Sequence, residues 1–182
     1  FERERGEVCV NPTGEMSVEV QGEDGQMQSF TYDAVFGPAA TQVHVFETVA
    51  APLVDATLDG YNSTIFAYGQ TAAGKTYTME GPNAADDDLR GIIPRAVEAL
   101  FAGVLNADTN IEFTVKVSYV EIYREKIRDL LDSHGVKNNL QVREDRAKGV
   151  YIAGATEEYV TNQDELLGVM GEGARNRAVA AT

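Results

Sequence analysis

At 182 residues with 43% apolar side chains, the chain is long enough for one domain, or a large piece of one, with a real core. It carries 15 basic and 29 acidic residues, a formal net charge of −14, which argues against a nucleic-acid binder because such domains carry a basic footprint. No run approaches the ~18 apolar residues of a membrane span, no secretory signal is present, and the single cysteine, Cys9, excludes an internal disulfide framework and suits a reducing compartment.

Residues 7–10, 16–20 and 28–32 read as short strands, separated by the turns Asn11-Pro12-Thr13-Gly14 and Gly22-Glu23-Asp24-Gly25. Together they predict a small antiparallel lobe, with Cys9 as a buried small residue in a strand. Residues 41–58 are helical: Phe46, Val49, Ala50, Leu53 and Val54 recur at helix spacing, and Thr41 is placed to cap the start. His44 falls on this helix and His134 in a loop, too far apart in sequence to suggest a metal site. Asp59-Gly60-Tyr61-Asn62 ends the helix.

The next stretch carries the chemistry. An apolar run over 64–68 leads into Gly69-Gln70-Thr71-Ala72-Ala73-Gly74-Lys75-Thr76, followed by a segment able to start a helix. Strand, glycine loop and helix N-terminus in that order make a phosphate-binding loop. Its glycines let the backbone bend around an anion with successive N–H groups pointing inward. Lys75 is expected to reach the β- and γ-phosphates and the Thr76 hydroxyl to bind Mg²⁺. A G-x-x-x-x-G-K-[ST] pattern arises by chance in fewer than about one in a hundred chains of this length. The unbroken apolar run before it predicts a parallel strand covered on both faces.

After the loop, the helix gives way to a polar, acidic insertion over 82–90 and resumes with Ile93, Val97, Leu100, Phe101 and Val104, with Pro94 in its first turn. Residues 111–123 alternate as one long strand, and 125–131 reads as a short helix. Residues 141–143 and 150–152 are expected to pair as strands. Thr161-Asn162-Gln163-Asp164 reads as a capping box opening a helix through Leu166, Leu167 and Met170, weakened by Gly168, Gly171 and Gly173.

A phosphate-loop enzyme also needs a carboxylate for the Mg²⁺ shell. Asp88-Leu89-Arg90-Gly91 fits the D-x-x-G of GTPases in form, but it follows Asp86-Asp87 instead of an apolar strand and reads as a solvated loop. Glu121 is the other candidate. No N-K-x-D guanine-reading motif occurs, so ATP is favoured over GTP. No catalytic residue is assigned.

Several blocks, in order, resemble one family. The run Tyr61-Asn62-Ser63-Thr64-Ile65-Phe66-Ala67-Tyr68-Gly69 through Lys75-Thr76-Tyr77-Thr78-Met79-Glu80-Gly81 is similar to the phosphate loop of the kinesin motor domain. Phe30-Thr31-Tyr32-Asp33-Ala34-Val35-Phe36 resembles that family's F-x-F-D-x-V-F, and Gly91-Ile92-Ile93-Pro94-Arg95 its G-I-I-P-R. Val117-Ser118-Tyr119-Val120-Glu121-Ile122-Tyr123 with Ile127-Arg128-Asp129-Leu130-Leu131 resembles its long strand and following helix, and Asn176-Arg177-Ala178-Val179-Ala180-Ala181-Thr182 the segment before switch I.

The resemblance implies an α/β P-loop NTPase with a mixed central sheet flanked by helices, over 1–182 as a single partial motor domain ending just before switch I. It implies backbone contacts to the phosphates from Gly69, Gln70, Thr71, Ala72, Ala73 and Gly74, the β/γ-phosphates on Lys75, Mg²⁺ on Thr76, and Tyr77 near adenine. It implies an ATPase that couples hydrolysis to movement on microtubules, in the cytoplasm on the cytoskeleton. Tubulin contact would come from elements outside this chain and from Lys137, Arg143, Arg146 and Lys148, interrupted by Glu144 and Asp145; the oligomerisation region would lie outside the chain. The alternatives are a self-contained small P-loop kinase or nucleotidase and a non-enzymatic nucleotide-binding module. Without switch I and switch II, this chain alone is expected to turn over little ATP.

Overall fold

The computed structural model describes residues 9–22, 24–83, 86–146 and 149–180. The chain opens with the expected antiparallel lobe: β1 (Val10–Pro12), β2 (Ser17–Gln21) and β3 (Met27–Thr31) pair in order, with Val18 opposite both Pro12 and Phe30. Cys9 precedes β1 and is exposed, against the buried position expected for it.

The helix expected over 41–58 has three parts. Thr41 caps α1 (Gln42–Val45), its hydroxyl accepting from the His44 N–H at 3.1 Å. A π-helical turn, Phe46–Ala50, follows, and α2 (Ala51–Leu58) completes the rod. The cause is Pro52, which has no N–H to donate and whose ring crowds the carbonyl four residues back, so the ladder loosens just ahead of it.

Residues 64–68 make no strand ladder among the described residues, contrary to the parallel strand expected there. Apolar character supplies faces for burial but no hydrogen-bond partner, and Phe66 and Tyr68 stand 81% and 94% exposed. After the glycine loop comes the short helix α3 (Lys75–Met79), then the insertion, then α4 (Ile92–Asn106) with Pro94 in its first turn.

The long strand expected over 111–123 is two strands with different partners. β4 (Val115–Val117) pairs antiparallel with β9 (Glu158–Val160), and β5 (Val120–Tyr123) with β6 (Lys126–Asp129). β6 replaces the helix expected over 125–131. Arg124 and Glu125, at φ 49° and 63°, form the two-residue turn, and Tyr123 faces Lys126 across it. Both central residues lie left-handed, the geometry that matches strand twist, yet neither is the glycine or asparagine that announces such a turn. β7 (Gln141–Asp145) and β8 (Gly149–Ala153) form the expected hairpin, one or two residues longer at its turn end.

The final helix, α5 (Gln163–Ala180), is capped one residue later than expected. Asn162 Oδ1 accepts from the Glu165 N–H at 2.9 Å, while Glu165 Oε2 accepts from the Thr161 N–H at 2.7 Å. The helix runs through all three of its glycines. At Gly173 the reason is a close approach: a Cβ there would meet the Tyr119 ring.

α4 packs in one cluster with α5 and the β4–β9 pair, α5 also touching β9. Val97 and Phe101 bury against Val160 and Leu166, with Ile93, Val115, Val117, Leu167, Val169 and Met170 packed around them. The other face of α4 meets α2. This sandwich holds both ends of the segment that carries the glycine loop, since α2 leads into it and α4 receives the chain from it.

Candidate nucleotide site

The loop has the backbone its glycines allow. Gly69 is at φ 156°, Ala72 at φ 66° and Gly74 at φ 90°. Ala72 in the left-handed region costs about 1–2 kcal/mol, strain of the kind concentrated at functional sites. The Ala73 N–H donates to the Gln70 carbonyl at 3.2 Å and closes a turn, and Gly74 leads into the first turn of α3. Lys75 folds back over the loop, its Nζ donating to the Gly69 and Gln70 carbonyls at 2.7 Å each. Its ammonium therefore sits at the loop mouth on two backbone acceptors. Thr76 is exposed on the next position, and Tyr77 is 51% exposed beside it.

Four residues outside the motif position this segment. Gln42, on α1 and only 6% exposed, sends its side-chain Nε2 to the Tyr77 carbonyl at 2.6 Å and to the Leu89 carbonyl at 3.4 Å. Arg95, on α4 and 8% exposed, donates Nε to the Arg90 carbonyl at 3.1 Å and Nη2 to the Asp87 carbonyl. Arg90 in turn pairs with Glu98 at 2.8 Å and Asp87 at 3.3 Å. Arg177 of α5 reaches Glu80, just after α3, at 3.4 Å. The returning leg of the insertion is thus tied to α4 through the Asp87 and Arg90 backbone and the Arg90 side chain. At its neck, the Gly91 N–H donates to the Glu80 carbonyl at 3.0 Å. The Gln42 and Arg177 links have no sequence signature: each joins a residue to a backbone carbonyl or carboxylate that only the fold brings near.

The other candidate residues fall apart in space. Glu121 is 3.7 Å from the Arg128 guanidinium, and Asp88 lies in the insertion. Lys137 is drawn inward, its Nζ 3.8 Å from the buried Asp129 carboxylate and donating to the Thr156 hydroxyl at 2.9 Å. Arg143 and Arg146 are exposed at the β7–β8 hairpin, and Lys148 lies outside the described residues. No cluster of three or more His, Cys, Asp or Glu side chains fit to hold a metal occurs among the described residues.

A family model described as the kinesin motor domain matches residues 3–182. The chain belongs to the kinesin motor family. It is 46% identical over 177 residues to kinesin-related protein 3 of Dictyostelium discoideum, covering 96% of this chain and 14% of that protein. It is 47% identical over 177 residues to a kinesin heavy chain of Neurospora crassa, covering 97% of this chain and 19% of that protein. The solved structure of a fast kinesin superposes with a TM-score of 0.89 at 47% identity, over 96% of this chain and 48% of that one. The kinesin chain therefore spans about half of that solved motor and under a fifth of these longer relatives. The fold is that of a P-loop NTPase, as the resemblance implied, and the match does not favour the small kinase or the non-enzymatic module. Among the described residues of this kinesin chain, no helix is long and apolar enough to cross a membrane.

Proposed function

We propose that this chain is the nucleotide-binding part of a microtubule-based motor, a single partial motor domain over 1–182. The observation that carries the reading is Lys75 at the mouth of a left-handed glycine loop, in a chain that belongs to the kinesin motor family. Backbone N–H groups of Gly69, Gln70, Thr71, Ala72, Ala73 and Gly74 cradle the phosphates of ATP. Lys75 exchanges its two carbonyl partners for the β/γ-phosphates, and Tyr77 packs near the adenine. An Mg²⁺ ion suits this donor set, since it keeps most of its waters and takes one or two protein oxygens plus phosphates. Thr76, exposed beside Lys75, is the protein oxygen. The ion would draw charge from the phosphates during transfer.

In the intact motor, hydrolysis would switch the loops that grip the track, in the cytoplasm on the cytoskeleton. The fast kinesin that superposes on this chain is described in terms of its ATPase mechanism and its interactions with microtubules. Arg143 and Arg146 on the β7–β8 hairpin are the tubulin-facing cations of this chain. Lys137 is a weaker candidate because Asp129 holds it.

Isothermal titration of the 182-residue chain with Mg·ATP tests the nucleotide site. Wild type should bind and Lys75→Ala should lose at least about tenfold in affinity, a charge-assisted contact to phosphate. Equal binding by the two would overturn it. Co-sedimentation with microtubules at low salt tests the hairpin, where Arg143→Glu with Arg146→Glu should reduce the bound fraction.

A further inference from the structure

We infer that Gln42 is a positioning residue of the nucleotide site: its carboxamide locks the Mg²⁺ and base side of the phosphate-loop helix to the neck of the insertion over 82–90. This rests on the nucleotide reading above. It adds a residue 33 positions before Lys75, on another helix, that no phosphate-loop pattern contains.

The need arises from the shortness of α3. A helix leaves its last four carbonyls without intrahelical donors, and α3 has only five residues. The Thr76 carbonyl is served twice, by the N–H groups of Glu80 at 2.8 Å and Gly81 at 3.2 Å. The Tyr77 carbonyl takes Gln42 Nε2 at 2.6 Å. A primary amide nitrogen has two protons, and the second points to the Leu89 carbonyl at 3.4 Å. Leu89 is on the returning leg of the insertion, where its carbonyl occupies the space a Cβ on Gly81 would need. Three segments, α1, α3 and the insertion neck, therefore meet at one side-chain nitrogen. With Gln42 6% exposed, water is a poor substitute, so loss of the amide leaves the Tyr77 carbonyl without its donor.

The two sides of the site are held separately. Lys75 is kept in place by the Gly69 and Gln70 carbonyls, on the loop itself. Tyr77, and through its backbone the adjacent Thr76, is held by Gln42. Removing the carboxamide should thus disturb the metal and base contacts while sparing the phosphate contact of Lys75. A residue that merely stabilised the fold would weaken both alike.

The test uses the 182-residue chain as wild type, Gln42→Met, Gln42→Glu and Lys75→Ala. Met keeps the length of the side chain without the donor. Glu keeps the shape but turns a carboxylate on two carbonyl oxygens, and should be the worse of the two. ADP affinity is measured with and without Mg²⁺, and amide hydrogen exchange is followed at Glu80, Gly81 and Gly91 without nucleotide. For Gln42→Met we expect Mg·ADP affinity to fall about tenfold and metal-free ADP affinity, which loses the base contact but keeps that of Lys75, to fall by no more than about threefold. Neck amides should exchange about tenfold faster. Neck exchange within about twofold of wild type, or equal affinity losses with and without the metal, would overturn the inference. If wild type binds ADP no better than Lys75→Ala, the nucleotide reading falls and the inference with it. If wild type binds and Gln42→Met matches it, only the inference falls. Should Gln42→Glu fail to fold, Gln42→Met carries the comparison, with its melting curve as the control.

Discussion

Arg177 and Glu80 stand 97 positions apart in sequence, and the Arg177 Nη2 lies 3.4 Å from Glu80 Oε1. The pair ties the last turns of α5 to the residue that ends α3. Two further bonds secure the same stretch of α5: Arg128 Nη2 donates to the Asn176 carbonyl and Asn176 Nδ2 to the Leu130 carbonyl, each at 2.7 Å. The last turns of α5 are thus fastened at once to the phosphate-loop helix and to the β5–β6 hairpin.

The Arg177–Glu80 pair is part-exposed, at 42% and 38%, so solvent screens it. A double-mutant cycle with Arg177→Gln and Glu80→Gln, read by urea unfolding, should give a coupling of about 0.2–1 kcal/mol at low salt. In 1 M NaCl, where the Debye length is ~3 Å, the coupling should shrink. Additive single mutants at low salt would remove the pair as a working contact.

Asp129 is a different case, 4% exposed. Its Oδ1 accepts from the Leu131 N–H at 2.9 Å, its Oδ2 accepts from the Thr156 N–H at 2.7 Å, and Lys137 Nζ lies 3.8 Å away. Asp129→Ala would strand two backbone donors and the Lys137 ammonium. The expected loss is about 3 kcal/mol or more in urea unfolding, with nucleotide affinity affected only through the folded fraction. A loss under about 1 kcal/mol would show that water re-satisfies these donors.

Gly91 marks the neck of the insertion. A Cβ there would sit 2.6 Å from the Met79 carbonyl carbon and 2.7 Å from the Thr78 carbonyl oxygen. Because these neighbours are backbone, Gly91→Ala must push α3 from the start of α4, at a cost of about 1–3 kcal/mol. Thermal unfolding reads the cost, and limited proteolysis of the 82–90 insertion should become faster. An unchanged melting temperature would mean that the neck opens freely.

Two carboxylates, half-buried Asp132 and exposed Glu165, have pKa values held below the usual carboxylate range. Glu165 is held down first by the Thr161 backbone N–H and next by the Thr161 hydroxyl; Asp132 is held down first by the Lys137 backbone N–H. A folded-state pKa below the unfolded one means that the stabilisation is fully present above the ordinary value near 4 and is lost as pH falls through the lowered one. Amide exchange at Thr161 and at Val136 and Lys137 should therefore speed up, relative to other amides, as pH drops below about 4. Glu165→Gln and Asp132→Asn should each remove the pH dependence at their own site. Protection independent of pH in wild type would contradict these bonds.

Much of the chain was legible because its signals are local. The glycine loop, the N-terminal lobe, α4 with Pro94 in its first turn and the β7–β8 hairpin each follow from spacing within one stretch. β6 was not legible. Ile127, Leu130 and Leu131 suit a helix as well as a strand, and the Arg124-Glu125 turn lacks the residues that would announce it. Residues 111–123 look like one strand because alternation records faces and not partners. The change of partner between Val117 and Val120 is set by β9 on one side and β6 on the other. Lys137 looked like a surface cation, since only the fold places the buried Asp129 beside it.

By itself, the sequence determined the phosphate loop, the order of its flanking blocks and hence the motor family, because close backbone approach to an anion demands those residue types at that spacing. Tertiary structure alone decided what holds the loop. The Tyr77 carbonyl lies in a five-residue helix too short to supply its donor, and it takes one from another helix. Gln42 donates from 35 residues away, because the packing of α2 on α4 brings the start of α1 against the end of α3.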